Sequence, residues 1–229
     1  MNKIIFLAPL LLTACQPAAT ELPVHNHYAA SSLQEISHDR PAVSEYLISA
    51  RGIGEAQLGM TLGQLKKIVD RHTDFKLISN FASDLNAIAV SKRGLIHYYI
   101  LFAADAKSSA KFNPPNNAEI VSLMTNNYSY QTEEGIKVGM SIQEAEDTHG
   151  NAILSYNLGG TSKEYIAFNN YDADNVRFRA SSSPLIANGT SFSGIYAQYP
   201  GVAHTTDKFR ADAAIAMIEV SCPQNVCQD

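Results

Sequence analysis

Two stretches of this chain repeat one pattern. Gly52 to Asp70 reads G-I-G-E-A-Q-L-G-M-T-L-G-Q-L-K-K-I-V-D, and G-I-K-V-G-M-S-I-Q-E-A-E-D-T-H-G begins at Gly135. Aligned on Gly59-Met60 and Gly139-Met140, each runs from an extended Gly-Ile lead-in to a hydroxyl residue, with Gln or Glu three positions further on. Thr61 with Gln64, and Ser141 with Glu144, have the spacing of capping boxes: the hydroxyl accepts from an orphan N–H of the first turn while the longer side chain reaches back. Met60 and Met140 precede the caps, where they can staple onto Leu65 and Ala145. The repeated element is therefore a strand that turns into a capped helix. It holds no nucleophile, metal ligand or phosphate cradle, so it constrains a fold and names no reaction.

The spacing of Leu62, Leu65, Ile68 and Val69 predicts a helix from Leu62 to about Arg71, with Lys66, Lys67 and Asp70 turned to water. Extended runs follow at Phe75–Ser79, Ala87–Val90 and Leu95–Ala103, the last two joined by a hairpin turn at Ser91-Lys92-Arg93-Gly94. His97, inside the longest run, reads as a half-buried sheet residue rather than a catalytic base. Pro114-Pro115 marks a loop, and Glu119–Met124 a short strand. The second helix should run from Ile142 to His149 with Gly150 in a left-handed cap, followed by strands at Ala152–Tyr156, Glu164–Phe168, Val176–Arg179 and Ile215–Ser221. The expected fold class is α+β: two tandem helix-plus-antiparallel-strand units sharing or packing antiparallel sheets, with halves at about 45–125 and 126–229.

The N-terminus gives an address. Lys3 is a minimal positive region, Ile4 to Leu12 is apolar but too short to span a bilayer, and Leu12-Thr13-Ala14-Cys15 has the form of a lipobox. Residues 1–14 read as a lipoprotein signal peptide and Cys15 as the lipidated residue. An ordinary secretory signal with a chance cysteine is the alternative. Gln16, in place of an aspartate, points to the periplasmic face of the bacterial outer membrane. Residues 15–44, rich in Ala, Ser, Pro and His, read as a flexible tether that cannot bury enough apolar area to order itself. His25 and His27 form an H-x-H pair, more simply a feature of the tether than a metal site.

The whole chain carries a formal net charge of −5, and removing residues 1–14 takes away Lys3 and no acidic group. Such a balance, without clustered Lys and Arg, argues against nucleic acid as a partner. With Cys15 lipidated, Cys222 and Cys227 remain as an even pair in an oxidising compartment, expected to form a disulfide worth roughly 2 kcal/mol that pins the tail. A redox or zinc site is the rival reading, but C-x4-C lacks the two-residue spacing and has no second ligand pair.

Ser181 to Phe209 differs in kind, with few charges, much Ser, Gly, Ala and Tyr, and no clean period. A long excursion of small residues and aromatics is the chemistry of an adaptable contact surface, and Phe192, Tyr196 and Tyr199 are the candidate binding residues. The bland reading is that these rings pack the loop onto its own sheet, which would leave the sheet face around Tyr98 and Tyr165 as the contact surface. Other motifs are weaker. Asn170-x-Asp172-x-Asp174 resembles the start of a calcium loop but has Ser181 where the bidentate glutamate belongs, so it reads as a polar hairpin turn. Ser193 with His204 and Asp207 nearby does not match the nucleophile elbow. Glu133-Glu134 would point to opposite sides of an extended segment. Gly52-x-Gly54 lacks the third glycine of a dinucleotide fingerprint. No cofactor or metal is expected, and no catalytic residue.

The lipobox, Gly52-Ile53-Gly54-Glu55 and the run Gly135-Ile136-Lys137-Val138-Gly139 before a helix closing at His149-Gly150 resemble the sigma-E-regulated lipoprotein family of bacterial envelopes, a family of unknown function. The resemblance spans about residues 50 to 221. The G-I-x-x-G-M-S/T lead-in is more distantly similar to units of the beta-lactamase inhibitor protein and of small outer-membrane assembly lipoproteins. These resemblances imply protein binding without catalysis. The expectation is a lipid-anchored, non-enzymatic envelope lipoprotein that binds an envelope protein or a cell-wall component such as peptidoglycan, under envelope stress. The alternatives are an inhibitor of a lysozyme-like or other hydrolase, acting through the aromatic excursion, and a serine hydrolase using Ser193. Replacing Cys15 by Ser should move the protein from the membrane fraction to the soluble one, and the wild-type mature mass should exceed that of residues 15–229 by its acyl chains; an unlipidated wild type would refute this address.

Overall fold

Backbone hydrogen bonding makes the two Gly-Met segments the corners of the molecule. A computed structural model describes residues 45–82, 84–104, 111–157, 163–180, 192–197, 201–223 and 227. In chain order they form strands β1 (Leu47–Ser49), β2 (Gly52–Ile53) and β3 (Ala56–Gln57), helix α1 (Leu62–Ile68), and strands β4 (Thr73–Ala82), β5 (Leu85–Lys92), β6 (Leu95–Ala103), β7 (Ser122–Thr125) and β8 (Gln131–Thr132). Helix α2 (Ile142–His149) follows, then β9 (Ala152–Asn157), β10 (Glu164–Phe168), β11 (Val176–Ala180), β12 (Ala203–Thr206) and β13 (Ile215–Ser221). The fold is α+β with strand far outweighing helix.

Nine strands make one antiparallel sheet in the order β12-β9-β10-β11-β13-β7-β6-β5-β4. Its centre is the pairing of β7 with β13, Leu123 opposite Val220 and Thr125 opposite Ile218. A second sheet, β3-β2-β1-β8, is small and contains one parallel pair, β1 with β8. Alternation along the large sheet sends Ile88, Val90, Tyr98, Ile100, Leu123, and Ile218 to one side, where they share a core with Leu62 and Leu65 of α1, Ile142 and Ala145 of α2, and Ile48 and Ile53 of the small sheet. Each such fully buried aliphatic contributes about 1.5–3 kcal/mol, so this shared core is what the helices contribute to.

Both helix starts follow their sequence signals. Thr61 and Gln64 form the complete box, with Gln64 N–H donating to Thr61 Oγ1 at 3.2 Å and Thr61 N–H to Gln64 Oε1 at 2.7 Å. At α2 the first half is present: Glu144 N–H donates to Ser141 Oγ at 3.1 Å. Gly59 and Gly139 take φ of 83° and 85°, the left-handed region a turn at each corner requires. Their N–H groups donate to Ile120 O at 2.9 Å and Ile215 O at 2.7 Å. Ile120 and Ile215 N–H return to Met60 O and Met140 O at 2.8 and 2.9 Å, and Leu62 and Ile142 N–H reach Ala118 O and Ala213 O at 2.9 and 3.0 Å. Each helix start is thereby stitched to a chain segment far ahead in sequence.

The first helix stops earlier than its apolar spacing predicts. Val69 is extended (φ −74°, ψ 159°), and from that backbone it packs against the core while Ile68 is left exposed. Asp70 then makes a turn, its Oδ1 accepting from His72 N–H at 2.7 Å. Gly150 caps α2, but with φ 77° and ψ 178° instead of the left-handed helical values, a region open to glycine almost alone. The hairpin turn after β5 is Arg93-Gly94, both at positive φ, the geometry of a two-residue type I′ connection. The polar segment Asn170 to Asp174 joins β10 to β11, with Asn170 N–H bonded to His149 O. Cys222 and Cys227 are disulfide-bonded, and Cys227 lies against Gly59, so the tail is held at the first corner.

His97 is more than half buried. At 5% exposure it sits with Nδ1 3.2 Å from Tyr130 Oη and its ring stacked on Tyr46. Around it, Lys92 Nζ holds Glu45 and Glu55 at 2.8 and 2.7 Å, and Tyr98 lies beside Glu55. Burial first, and the Lys92 charge second, lower the His97 pKa below its usual 6.5; Glu45 and Glu55 pull the other way more weakly. A depressed folded-state value means the unfolded chain binds the proton more readily, so stability is complete above about 6.5 and falls as pH drops. Glu45, lowered below 4.5 by its hydrogen bond to Lys92, adds loss in the same direction only at lower pH. Urea melts between pH 7.5 and 5 should therefore show wild type losing stability on acidification, and His97→Gln should flatten that dependence; a flat wild-type profile would contradict the buried neutral imidazole.

Candidate functional site

The candidate binding residues of the excursion occupy the end of the large sheet. Phe192 stacks on Tyr156 with centroids 4.0 Å apart, and Tyr196 meets the same ring edge-on at 4.5 Å. His204, on β12, stacks on Tyr156 at 4.7 Å. Beneath them Glu164 is buried, and its carboxylate accepts from Ser193 N–H at 2.7 Å, Gly194 N–H at 2.8 Å and Tyr196 O–H at 2.8 Å. Three donors on one carboxylate are the condition under which burying it is tolerable. Burial, followed by the bond to Glu164, pushes the Tyr196 phenol up from its usual 10. Phe192 and Tyr196 are thus brought together, each partly buried on Tyr156; Tyr199 lies outside the described residues, as do Cys15, His25 and His27. Ser193 is 0% exposed, which leaves it no access to a substrate carbonyl. The segment is fixed from below by Glu164, yet Ile195 and Val202 are 55% and 58% exposed on it. Its short strand β12, paired with β9, had no sequence signal, because Ala203–Thr206 lacks the β-branched alternation of the other strands until its last two residues.

The other face of the nine-stranded sheet carries different chemistry. Tyr98 and Tyr165, taken together from the sequence as one contact face, stand on opposite faces: Tyr98 points into the helix-covered core at 1% exposure, and it is Tyr99 that shares Tyr165's side. The period of two along a strand makes adjacent tyrosines face apart. On Tyr165's side, a cavity of about 360 Å³ runs from Leu85, Leu101 and Ala103 past Ser122 and Glu219 to Arg177 and Tyr165. A second, of about 370 Å³, continues from Lys163 and Tyr165 to Ser155, Asn157, Ala203 and Thr205. They share Lys163 and Tyr165, so they form one groove across the strands.

The middle of this groove is charged. Glu219 is buried and paired with Arg179 at 3.3 Å and Arg177 at 3.5 Å. The Arg177 guanidinium lies 5.2 Å from the Tyr165 ring centre, within cation–π range, while its side chain is 51% exposed. Burial, then Glu219, raises the Tyr165 phenol above its usual 10, so it remains a neutral donor and platform at physiological pH. Strand pairing sets the line-up: Tyr165 opposite Arg179, Arg177 opposite Glu219, Glu219 opposite Met124. Sequence reasoning missed the groove, since its residues come from strands paired across long separations. Among the described residues no three His, Cys, Asp or Glu side chains gather as metal ligands, and no helix is long and apolar enough to cross a membrane.

No family model matches the chain, and no curated protein matches it. Among solved structures it is similar to the crystal structure of the uncharacterized protein yfeY from Escherichia coli, at 12% identity and a TM-score of 0.44, over 76% of this chain and 99% of that one.

The Glu164 clamp is directly testable. Glu164→Ala removes the acceptor of three donors and should cost about 1–3 kcal/mol, with protease cleavage appearing between residues 192 and 209 before global unfolding. Unchanged proteolysis would show that the segment is held by its rings alone.

Proposed function

We propose that the chain is a non-catalytic binding module of the bacterial envelope, lipid-anchored through Cys15 to the periplasmic face of the outer membrane, that engages an envelope protein or cell-wall component through the groove on the open sheet face. The observation carrying this reading is the pair of adjoining cavities that share Tyr165 and Lys163, with Arg177 lining the first and lying over the Tyr165 ring. A groove of mixed apolar, aromatic and charged lining has the chemistry of recognition. The two Gly-Met corners support a further reading of the architecture as two tandem α+β units, halves about 45–125 and 126–229, since equivalent donors at Gly59 and Gly139 reach equivalent acceptors at Ile120 and Ile215. On that reading β7 and β13 are the matching last strands of the two units.

A second reading, an inhibitor of a lysozyme-like or other hydrolase, is favoured by Ile195 and Val202, two exposed apolar side chains on the segment that carries Phe192 and Tyr196. The two readings use different surfaces. Photocrosslinkers placed in cells at Ile153, exposed on the groove side of β9, and at Ile195 and Tyr199 separate them. A partner captured from Ile153 and not from the excursion is the expected outcome. Capture from Ile195 alone would move the site to the excursion, and silence from all three in anchored protein would overturn both.

A further inference from the structure

We infer that the groove takes an extended peptide carrying a carboxylate side chain at its centre and an apolar residue toward one end; this rests on the binding reading above and specifies its ligand. The argument begins with the order of chemistries along the groove. Its β5/β6 end is apolar, made by Leu85, Leu101 and Ala103, with Val121 beside them. Its middle presents Arg177 and Lys163, and its β9/β12 end presents small polar groups from Ser155 and Thr205. Apolar, cationic and small polar patches in sequence match a chain whose side chains differ from position to position. Tyr165 is the ring shared by both cavities, with Phe102 lining the first and Tyr156 and His204 the second. It is the change from apolar to cationic to small polar groups, where a glycan would call for repeated hydroxyl partners, that favours a peptide.

Charge selects the central group. Lys163 and Arg177 line the groove with Glu219, and Asp84 stands at the rim. Glu219 is buried and already paired with Arg177 and Arg179, so the exposed charge at the groove's centre is cationic although the whole chain is acidic. Glu219 holds Arg177 through one contact at 3.5 Å and leaves the rest of a five-donor fork turned outward over Tyr165. Lys163 forms no ion pair among the described residues and lines both cavities. Two cations flanking an aromatic floor suit a carboxylate that lies flat across it. Size sets the length: from β6 to β12 the groove crosses six strand spacings of about 4.8 Å, so roughly nine extended residues fill it.

The test is peptide display of a random nonamer library against the full mature lipoprotein in nanodiscs, with parallel selections on Lys163→Gln and Arg177→Gln. Lys163→Gln breaks no ion pair among the described residues, so it keeps the test valid if loss of Arg177 disturbs Glu219. The expected result is enrichment of Glu or Asp at one position with an aliphatic or aromatic residue several positions away. Enriched peptides should bind roughly tenfold more tightly than their Gln counterparts, and Lys163→Gln should erase most of that difference. Enrichment without an acidic position overturns the inference. So does the absence of any enriched peptide, including the case where a soluble peptidoglycan fragment binds instead. If crosslinking from Ile153 still captures a partner in those cases, the carboxylate specificity falls alone; if it captures nothing, the binding reading falls with it.

Discussion

The pairing of Ser122–Thr125 with Ile218–Ser221 holds the rest of the structure in place. Four residues on each side join a strand set that ends at β4 to one that ends at β12, and without them there would be two separate sheets. Burial fixes the register: Leu123, Ile218 and Val220 face the helix-covered core, while Met124 and Glu219 face the groove. A slip of one residue would send Glu219 into that core and Val220 to the groove. The charged centre of the groove is therefore placed by an apolar constraint on its opposite side.

The corners hold the helices to this seam. Neither α1 nor α2 is long enough to be stable alone, at seven and eight residues. Their N-termini are satisfied by Thr61 and Ser141 and by backbone bonds to segments just before β7 and β13, so forming the helices and aligning the central strands are one event. Gly59 and Gly139 are required there by their positive φ, and Gly63 by the closeness of Asn116, whose carbonyl accepts from its N–H. Stability at the corners is thus long-range bonding anchored by local capping.

That mixture explains what could be read from the chain. Capping residues, the Arg93-Gly94 turn, and the strands at Leu95–Ala103, Glu164–Phe168 and Ile215–Ser221 are local and were legible. The end of α1 was not, because the stripe Leu62, Leu65, Ile68, Val69 fits one more helical turn as well as it fits Val69 entering the core from extended backbone. Strand order was not legible either. Residues 85 to 103 and 163 to 221 meet at the groove only because β7 pairs with β13, and no periodicity encodes that partner. The aromatic residues of the excursion were legible as a cluster, but their partner Tyr156 and the carboxylate of Glu164 lie on strands whose own patterns look ordinary.

Two buried glutamates show how one residue type serves two ends of the sheet. Glu164 meets two backbone N–H groups and a phenol on the covered side, so its charge is spent fixing the excursion to the strand ends. Glu219 meets two guanidiniums on the open side, and each of those has donors left over. Burial raises the cost of an unpaired carboxylate in both places, and in both the sequence supplies donors from separate strands or segments. The consequence differs because neutral donors are consumed when they bond, whereas an arginine held through part of its fork stays cationic toward solvent. In the proposed binding reading Glu219 is thereby a positioning group: it holds Arg177 above Tyr165 in the unliganded protein, which would lower the ordering cost of binding an anion there.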